Sequence, residues 1–268
     1  METDKNKLKV YSYSKVLTYK SCKKKYHFAY IEKLPRKKEQ PFTIFGSFCH
    51  EVLENFHRYY LDDKTKDILY LDAMRKSFSS ARQNWQNKLT KEQTDEAYAI
   101  LLDYLMIVSA ETKEEKPIIL DVEKKIWAPI DDEIVLYGYI DRVQKDPDKI
   151  LHVIDYKTTK DPKYLKDRTQ LLLYCYSLLL EDDSIETIRT SYILLKHNMK
   201  YLTAEHNKEE IIEAKDTLLK NCRDISEEKL FRASPTRFNC TYCDYIDHCK
   251  EGKDLVYNSK KYVGKIKW

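Results

Sequence analysis

Three short stretches carry side chains whose types and spacing suit phosphate chemistry. One reads His152-Val153-Ile154-Asp155-Tyr156-Lys157, and another reads Gly138-Tyr139-Ile140-Asp141. In an extended strand the side chains alternate, so Asp155 and Lys157 face the same way. If the two stretches pair, Asp141 approaches that face. Two carboxylates and an ammonium at one sheet edge suit a hard divalent cation with a phosphate beside it. The carboxylates hold Mg²⁺, and the lysine steadies an attacking water or a developing charge. Taken alone, a D-x-K triplet is equally a pair of surface carboxylates with a lysine. The third stretch is Gly46-Ser47-Phe48-Cys49-His50-Glu51. His50, Glu54 and His57 fall on one helical face, but Glu at 54 departs from H-E-x-x-H and disfavours a zinc protease. Gln170 and Tyr174 sit one helical turn apart.

Sulfur forms a second constellation. Cys240, Cys243 and Cys249 make C-x2-C-x5-C within ten residues, and Cys22 lies far upstream. Cys49, Cys175 and Cys222 sit among apolar neighbours and read as buried thiols. Seven cysteines, an odd number, with no visible secretory signal argue against structural disulfides. Four thiolates can hold Zn²⁺ or a [4Fe–4S] cluster, and free thiols are the third reading.

The elements that must position these groups follow from periodicity and punctuation. The spacing predicts helices over 12–34, Ser47–Tyr60 (entered by a loop from Pro41), 68–88, 92–113, 163–181 and 207–224. Strands are expected over Ile118–Trp127, Ile134–Val143, Ile150–Lys157, Ile188–Lys196 and 199–203. Short turns make the first three strands a meander. A helical crossover then lets the fourth pair in parallel. We expect one α/β domain over 1–268. It has a basic helical part at 1–45, a core with a helical insertion at 46–225, and a cysteine knuckle with a basic tail at 226–268.

The chain has 268 residues, a net charge of +4 and few Gly (4) or Pro (7), which excludes collagenous and linker-like classes. Residues 1–40 carry 12 basic and 4 acidic side chains, and residues 250–268 carry 6 and 2, around an acidic middle. Lys-Lys-Lys-Tyr-His-Phe-Ala-Tyr at 23–30 suits a phosphate backbone with unstacked bases, or simply a solvated lysine face. No apolar run reaches the roughly 18–20 residues of a membrane span. An intracellular location with no membrane partner is expected.

Taken in order, Y-S-Y-S-K-V-L-T-Y-K-S-C at 11–22, G-S-F-C-H at 46–50, G-Y-I-D at 138–141, I-D-Y-K-T at 154–158, Q-L-L-L-Y at 170–174 and the cysteine knuckle at 240–249 resemble a known family. They are similar to the RecB-like branch of the PD-(D/E)XK nucleases. The nearest likeness is to iron–sulfur members such as the CRISPR-associated single-domain exonucleases and the nuclease domain of AddB. The resemblance spans about residues 11–250, and it rests on all six motifs in order, since each is weak alone. It implies a restriction-endonuclease-like fold, a mixed central sheet flanked by helices, with an added helical portion. It implies His50, Asp141, Asp155 and the Tyr156 carbonyl as ligands of Mg²⁺ or Mn²⁺, and Lys157 as catalytic lysine. Gln170 and Tyr174 would organise the site and contact DNA. Cys22, Cys240, Cys243 and Cys249 would hold a [4Fe–4S] cluster, with Zn²⁺ as the alternative, joining the two chain ends. Lys23 departs from the proline frequent after the first cysteine, which touches only the local turn.

The activity so implied is a metal-dependent deoxyribonuclease, an exonuclease on single-stranded DNA with 5′ to 3′ polarity, in repair, recombination or CRISPR-type processing. The sequence contains no G-x-x-x-x-G-K-[ST] motor motif. A separate helicase or integration complex is therefore a candidate partner. Two rival readings are a catalytically silent nucleic-acid-binding adaptor and a zinc-stapled structural subunit.

Overall fold

The structure is a computed structural model that describes residues 8–36, 40–61, 68–110, 116–159, 165 and 167–258. The described chain divides into two compact units. Unit 1 takes residues 1–39, 129–136 and 217–268, and unit 2 takes 40–128 and 137–216.

Unit 2 is built on strands β2 (Ile118–Pro129), β3 (Ile134–Lys145), β4 (Leu151–Lys157), β5 (Thr187–Leu194) and β6 (Lys200–Asn207). β2 pairs with β3, and β3 pairs antiparallel with β4, Arg142 opposite Ile154 and Gln144 opposite His152. β4 pairs parallel with β5, and β5 antiparallel with β6. The parallel step requires a crossover, which α6 (Thr169–Leu179) supplies. The result is a mixed sheet flanked by helices, as the sequence predicts.

One flank holds α3 (Pro41–Arg58), α4 (Tyr70–Trp85) and α5 (Lys91–Ala110). Phe48, Val52, Leu53 and Phe56 recur at helical spacing along α3. They pack with Met74 and Phe78 of α4, Leu101 and Tyr104 of α5, and Ile154 and Tyr156 of β4. α3 starts earlier than the expected Ser47. Pro41 occupies its first turn, where the missing N–H costs nothing, and the helix runs straight through Gly46. A Cβ at Gly46 would lie 3.0 Å from Thr158 Oγ1, so the glycine lets the helix pass the end of β4. The expected entry loop is therefore helix, and His50 lies in its third turn.

Unit 1 contains β1 (Lys9–Tyr11), a strand absent from the sequence expectation, which runs parallel to the start of β3 with Lys9 opposite Ile134. The helix expected over 12–34 is broken at Cys22, whose backbone is extended (φ −164°, ψ 110°). It ends α1 (Tyr13–Ser21) and caps α2 (Lys23–Tyr26), which a π-turn over His27–Ile31 continues. Tyr19, Tyr26 and Phe28 are buried, and Tyr26 stacks on Phe231 at 6.0 Å. Lys23 pairs with Glu228, which also accepts from Tyr19. These rings are thus core, and stacking on unpaired bases is not open to them. α7 (Lys208–Glu227) leads to the short helices α8 (Arg237–Thr241) and α9 (Lys250–Lys253).

α6 starts at Thr169 rather than 163, and residues 160–164 and 166 lie outside the described residues. So do the expected end of the 92–113 helix beyond residue 110 and the basic tail beyond residue 258. Among the described residues no helix is long and apolar enough to cross a membrane.

Candidate active site

The strand register that sets Arg142 opposite Ile154 brings Asp141 and Asp155 together one step further along β3 and β4. The Tyr156 N–H donates to Asp141 Oδ2 at 2.7 Å, fixing that carboxylate across the two strands. His50 of α3 reaches the same oxygen, Nδ1 to Oδ2 3.3 Å. Lys157 Nζ lies 2.6 Å from Asp155 Oδ2. This oxygen is buried, and Lys157 is its ion-pair partner. Lys157 is in turn 3.5 Å from Gln170 Oε1, and Gln170 Nε2 donates to the Tyr174 hydroxyl at 2.7 Å. The structure therefore brings His50, Asp141, Asp155, Lys157, Gln170 and Tyr174 into one connected group. The Tyr156 side chain goes elsewhere, into a buried cluster with His57 and Tyr104.

Glu123 of β2 completes the group, and the sequence reasoning missed it. Ligand atoms of His50, Glu123 and Asp141 all lie within 4.8 Å of one another. Glu123 sits at φ +51°, a left-handed conformation uncommon for a residue other than glycine. In Asp121-Val122-Glu123-Lys124-Lys125 nothing separates it from an ordinary charged strand position. Only the local backbone twist distinguishes it. The expected helical row His50, Glu54, His57 does not act together, because Glu54 pairs with Arg58 and His57 is buried against Tyr104.

The charges of this group strain against one another. Burial would drive the His50 imidazolium toward neutrality, but the Asp141 carboxylate outweighs it and carries the pKa up to about 9. Burial also lifts Asp155 to about 6, against the pull of Lys157 and with the help of Asp141. Glu123 is pushed up to about 7 by burial and by Asp141. For Asp141 itself, burial is overcome by His50 and the Tyr156 N–H, which hold the carboxyl below its usual range. Three carboxylates crowded this closely call for a cation. The converging His50, Glu123 and Asp141 atoms, with the buried Asp155 carboxylate beside Lys157, fit a hard divalent ion. An open cleft of about 710 Å³ flanks His50 and Glu123, with Gly46, Glu54 and Thr158 in its wall.

The sequence profile of the PD-(D/E)XK nuclease superfamily matches residues 10–250. The chain belongs to this superfamily. A solved structure from Eubacterium rectale, described as a "putative exonuclease", shares its fold at TM-score 0.55 and 11% identity, covering 96% of each chain. A second solved structure, SSO0001, gives TM-score 0.37 and 14% identity over 78% of this chain and 95% of that one, too distant to carry an argument. No functionally curated protein matches the sequence. Members of the superfamily are nucleases that use divalent metals, which agrees with the donor set above.

The four outlying cysteines all lie in unit 1. Cys22 Sγ accepts from the Ser234 N–H at 3.5 Å, and Cys249 Sγ from the Gly252 N–H at 3.4 Å. A backbone N–H of Tyr245 points at Cys243, and Cys22 lies close enough to Cys243 and Cys249 to raise the pKa of both, after burial. A Cβ at Gly252 would stand 3.5 Å from the sulfurs of both Cys240 and Cys249 and 2.9 Å from Ile246 Cδ1. The glycine thus keeps a cradle clear beside two sulfurs. Backbone N–H groups aimed at sulfur stabilise thiolates, so the donors fit a thiolate-bound metal centre. Cys49, Cys175 and Cys222 are fully buried elsewhere.

Proposed function

We propose that this nuclease is a divalent-metal-dependent deoxyribonuclease that degrades single-stranded DNA from an end. The observation that carries the reading is the convergence of His50, Glu123 and Asp141 beside the buried Asp155–Lys157 pair. His50, Glu123, Asp141, Asp155 and the Tyr156 carbonyl would hold Mg²⁺ or Mn²⁺. The ion, when bound, polarises the phosphoryl oxygen and lowers the pKa of an attacking water. Lys157, anchored between Asp155 and Gln170, places a positive charge where the pentavalent phosphorane gathers negative charge. Tyr174 fixes the Gln170 amide, and through it the lysine.

Support for an unpaired strand comes from rings on the site's own sheet. Trp127 and Tyr139 are 54% and 43% exposed, Tyr137 lies against both, and Lys125 stands 5.9 Å from the Tyr137 ring centroid. Exposed rings with a nearby cation suit unstacked bases. Tyr139 also feels the Glu123 charge, so these rings adjoin the metal ligands. The 5′ to 3′ polarity, a partner helicase or integration complex, and a repair, recombination or CRISPR-type pathway rest on the family resemblance.

Cys22, Cys240, Cys243 and Cys249 are proposed to hold a [4Fe–4S] cluster. One C-x2-C pair, a gap of five residues and a distant fourth cysteine depart from the two short C-x2-C pairs common in zinc sites, and with the family resemblance this favours the cluster over zinc. Digestion of 5′- and 3′-end-labelled single- and double-stranded DNA with Mg²⁺ or Mn²⁺ tests the activity. Release of labelled mononucleotide first from the 5′ end of single strands is expected. Uncut single strands beside rapid loss of blunt duplex would overturn the substrate.

A further inference from the structure

Unit 2 holds a second, partly open cavity of about 470 Å³, within the roughly 300–1,000 Å³ range of small-ligand sites. Its floor is the β3–β4 pair, where Arg142 and Gln144 line it, and α3 contributes His57. Arg142 and Gln144 are only 4% and 5% exposed. An arginine is always charged, and a buried charge is costly unless paired. Arg142 has no carboxylate partner among the described residues. Its hydrogen bonds both leave from Nη1, to His57 Nε2 at 2.9 Å and to the Tyr104 hydroxyl at 2.8 Å. Neither partner is a carboxylate, and burial and then Arg142 itself hold the His57 pKa well below its ordinary value. Arg142 Nε and Gln144 Oε1, both sealed from solvent, have no hydrogen-bond partner. The nearest acid in the lining, Asp146, is already taken by His152 at 2.9 Å, Gln144 at 2.6 Å and Arg189 at 2.6 Å.

The remaining walls are largely apolar, with Phe56, Tyr60 and Tyr70 among them. Tyr60 and Tyr70 meet edge to face at 4.9 Å, and Lys116 stands 4.5 Å over the Tyr70 ring. The cavity is thus lined by a buried cation that has only neutral partners and the Tyr156 ring, 5.7 Å from the guanidinium, and by apolar walls. From these we infer that the cavity is a binding site for a phosphorylated nucleoside, its phosphate on Arg142 and its base against Tyr60 and Tyr70. The phosphate supplies the missing counter-charge, and the base covers the tyrosines. The choice of nucleotide rests on the exonuclease reading, because a mononucleotide is what such cleavage releases. The site takes Arg142, the neighbour of Asp141, from β3 and His152 from β4, so it is built on the ligand strands yet separate from the ligands.

The test is titration calorimetry of the full chain carrying Asp155→Ala, without divalent metal, so that neither cleavage nor the metal site contributes. The probes are deoxycytidine monophosphate, deoxycytidine and inorganic phosphate. The monophosphate should bind at least tenfold more tightly than either fragment, and Arg142→Met should weaken it at least tenfold. Loss of a buried arginine can unfold a chain, so Tyr70→Ala, at a half-buried wall, gives a second reading with an expected loss of about tenfold. No binding of the monophosphate at 1 mM, equal binding of deoxycytidine, or unchanged affinity in both variants would each overturn the inference. Because binding is read without cleavage, failure here leaves the nuclease reading standing, and an inactive enzyme that still binds leaves this site standing.

Discussion

His50, Glu123, Asp141 and Asp155 offer oxygen and nitrogen from the strands and the long helix of unit 2, whereas Cys22, Cys240, Cys243 and Cys249 offer sulfur from the turns and short helices of unit 1. The first group sits on elements with their own large apolar core. The second is supported by helices of four or five residues and a small cluster around Phe28 and Tyr245. A helix that short does not persist on its own. The difference separates two roles for a metal. In unit 2 the proposed ion would relieve crowded charge on a frame with its own core. In unit 1 the proposed metal centre would be part of what holds the chain in place.

The largest expected effect falls on chemistry alone. Lys157→Ala should lower cleavage by roughly 10³-fold while leaving the thermal midpoint within a few degrees, because Lys157 sits at the end of β4 and not in its core. A variant that loses its fold along with its activity would erase the contrast between the two regions.

Next come the cysteines. Protein purified without air should be brown and carry about four iron and four sulfide per chain. Cys22→Ala should lose the colour as fully as Cys243→Ala and lower the thermal midpoint by at least about 5 °C. Cys49→Ala, Cys175→Ala and Cys222→Ala should keep the colour. A Cys22→Ala protein with full iron would break the assignment, and a colourless wild type with one zinc would replace the cluster while sparing the staple.

A smaller effect sharpens the hard site. His50 holds its proton up to about pH 9 without metal, so an incoming ion must displace it. Mn²⁺ affinity measured by calorimetry should therefore rise about tenfold per pH unit from 7 to 9 and flatten above. Below 7 the protons on Glu123 and Asp155 steepen the fall. A flat profile between pH 7 and 9 would remove His50 from the ligands. Glu123→Gln keeps the shape and removes the charge. It should raise the Mn²⁺ concentration needed for half-maximal rate by about tenfold, and no change would return Glu123 to the surface.

Much of the hard site was legible because strand alternation and one antiparallel register carry Asp141, Asp155 and Lys157 into place, and helical spacing sets Gln170 one turn from Tyr174. Glu123 was not legible, since a residue at φ +51° breaks the alternation that reading relies on. Arg142 was equally hidden, because a charged residue next to Asp141 reads as solvated until the helical flank covers it. The short β1 depends on its pairing with β3, and the break at Cys22 depends on contacts with residues more than 200 positions away, such as Ser234. Local periodicity reports neither. The buried rings of the 15–30 segment followed the same rule: lysines around them suggested solvent, and Phe231 covers them.

The central claim is that the carboxylates of β3 and β4 form a metal-dependent nuclease centre. It is tested most directly by following end-labelled single-stranded DNA with wild type and Asp155→Ala protein side by side, first in EDTA and then with Mn²⁺ restored. The account predicts no cleavage by either protein in EDTA, cleavage by wild type alone once Mn²⁺ is added, and matching circular dichroism for the two. Cleavage in EDTA, or equal Mn²⁺-dependent rates for both proteins, would contradict it.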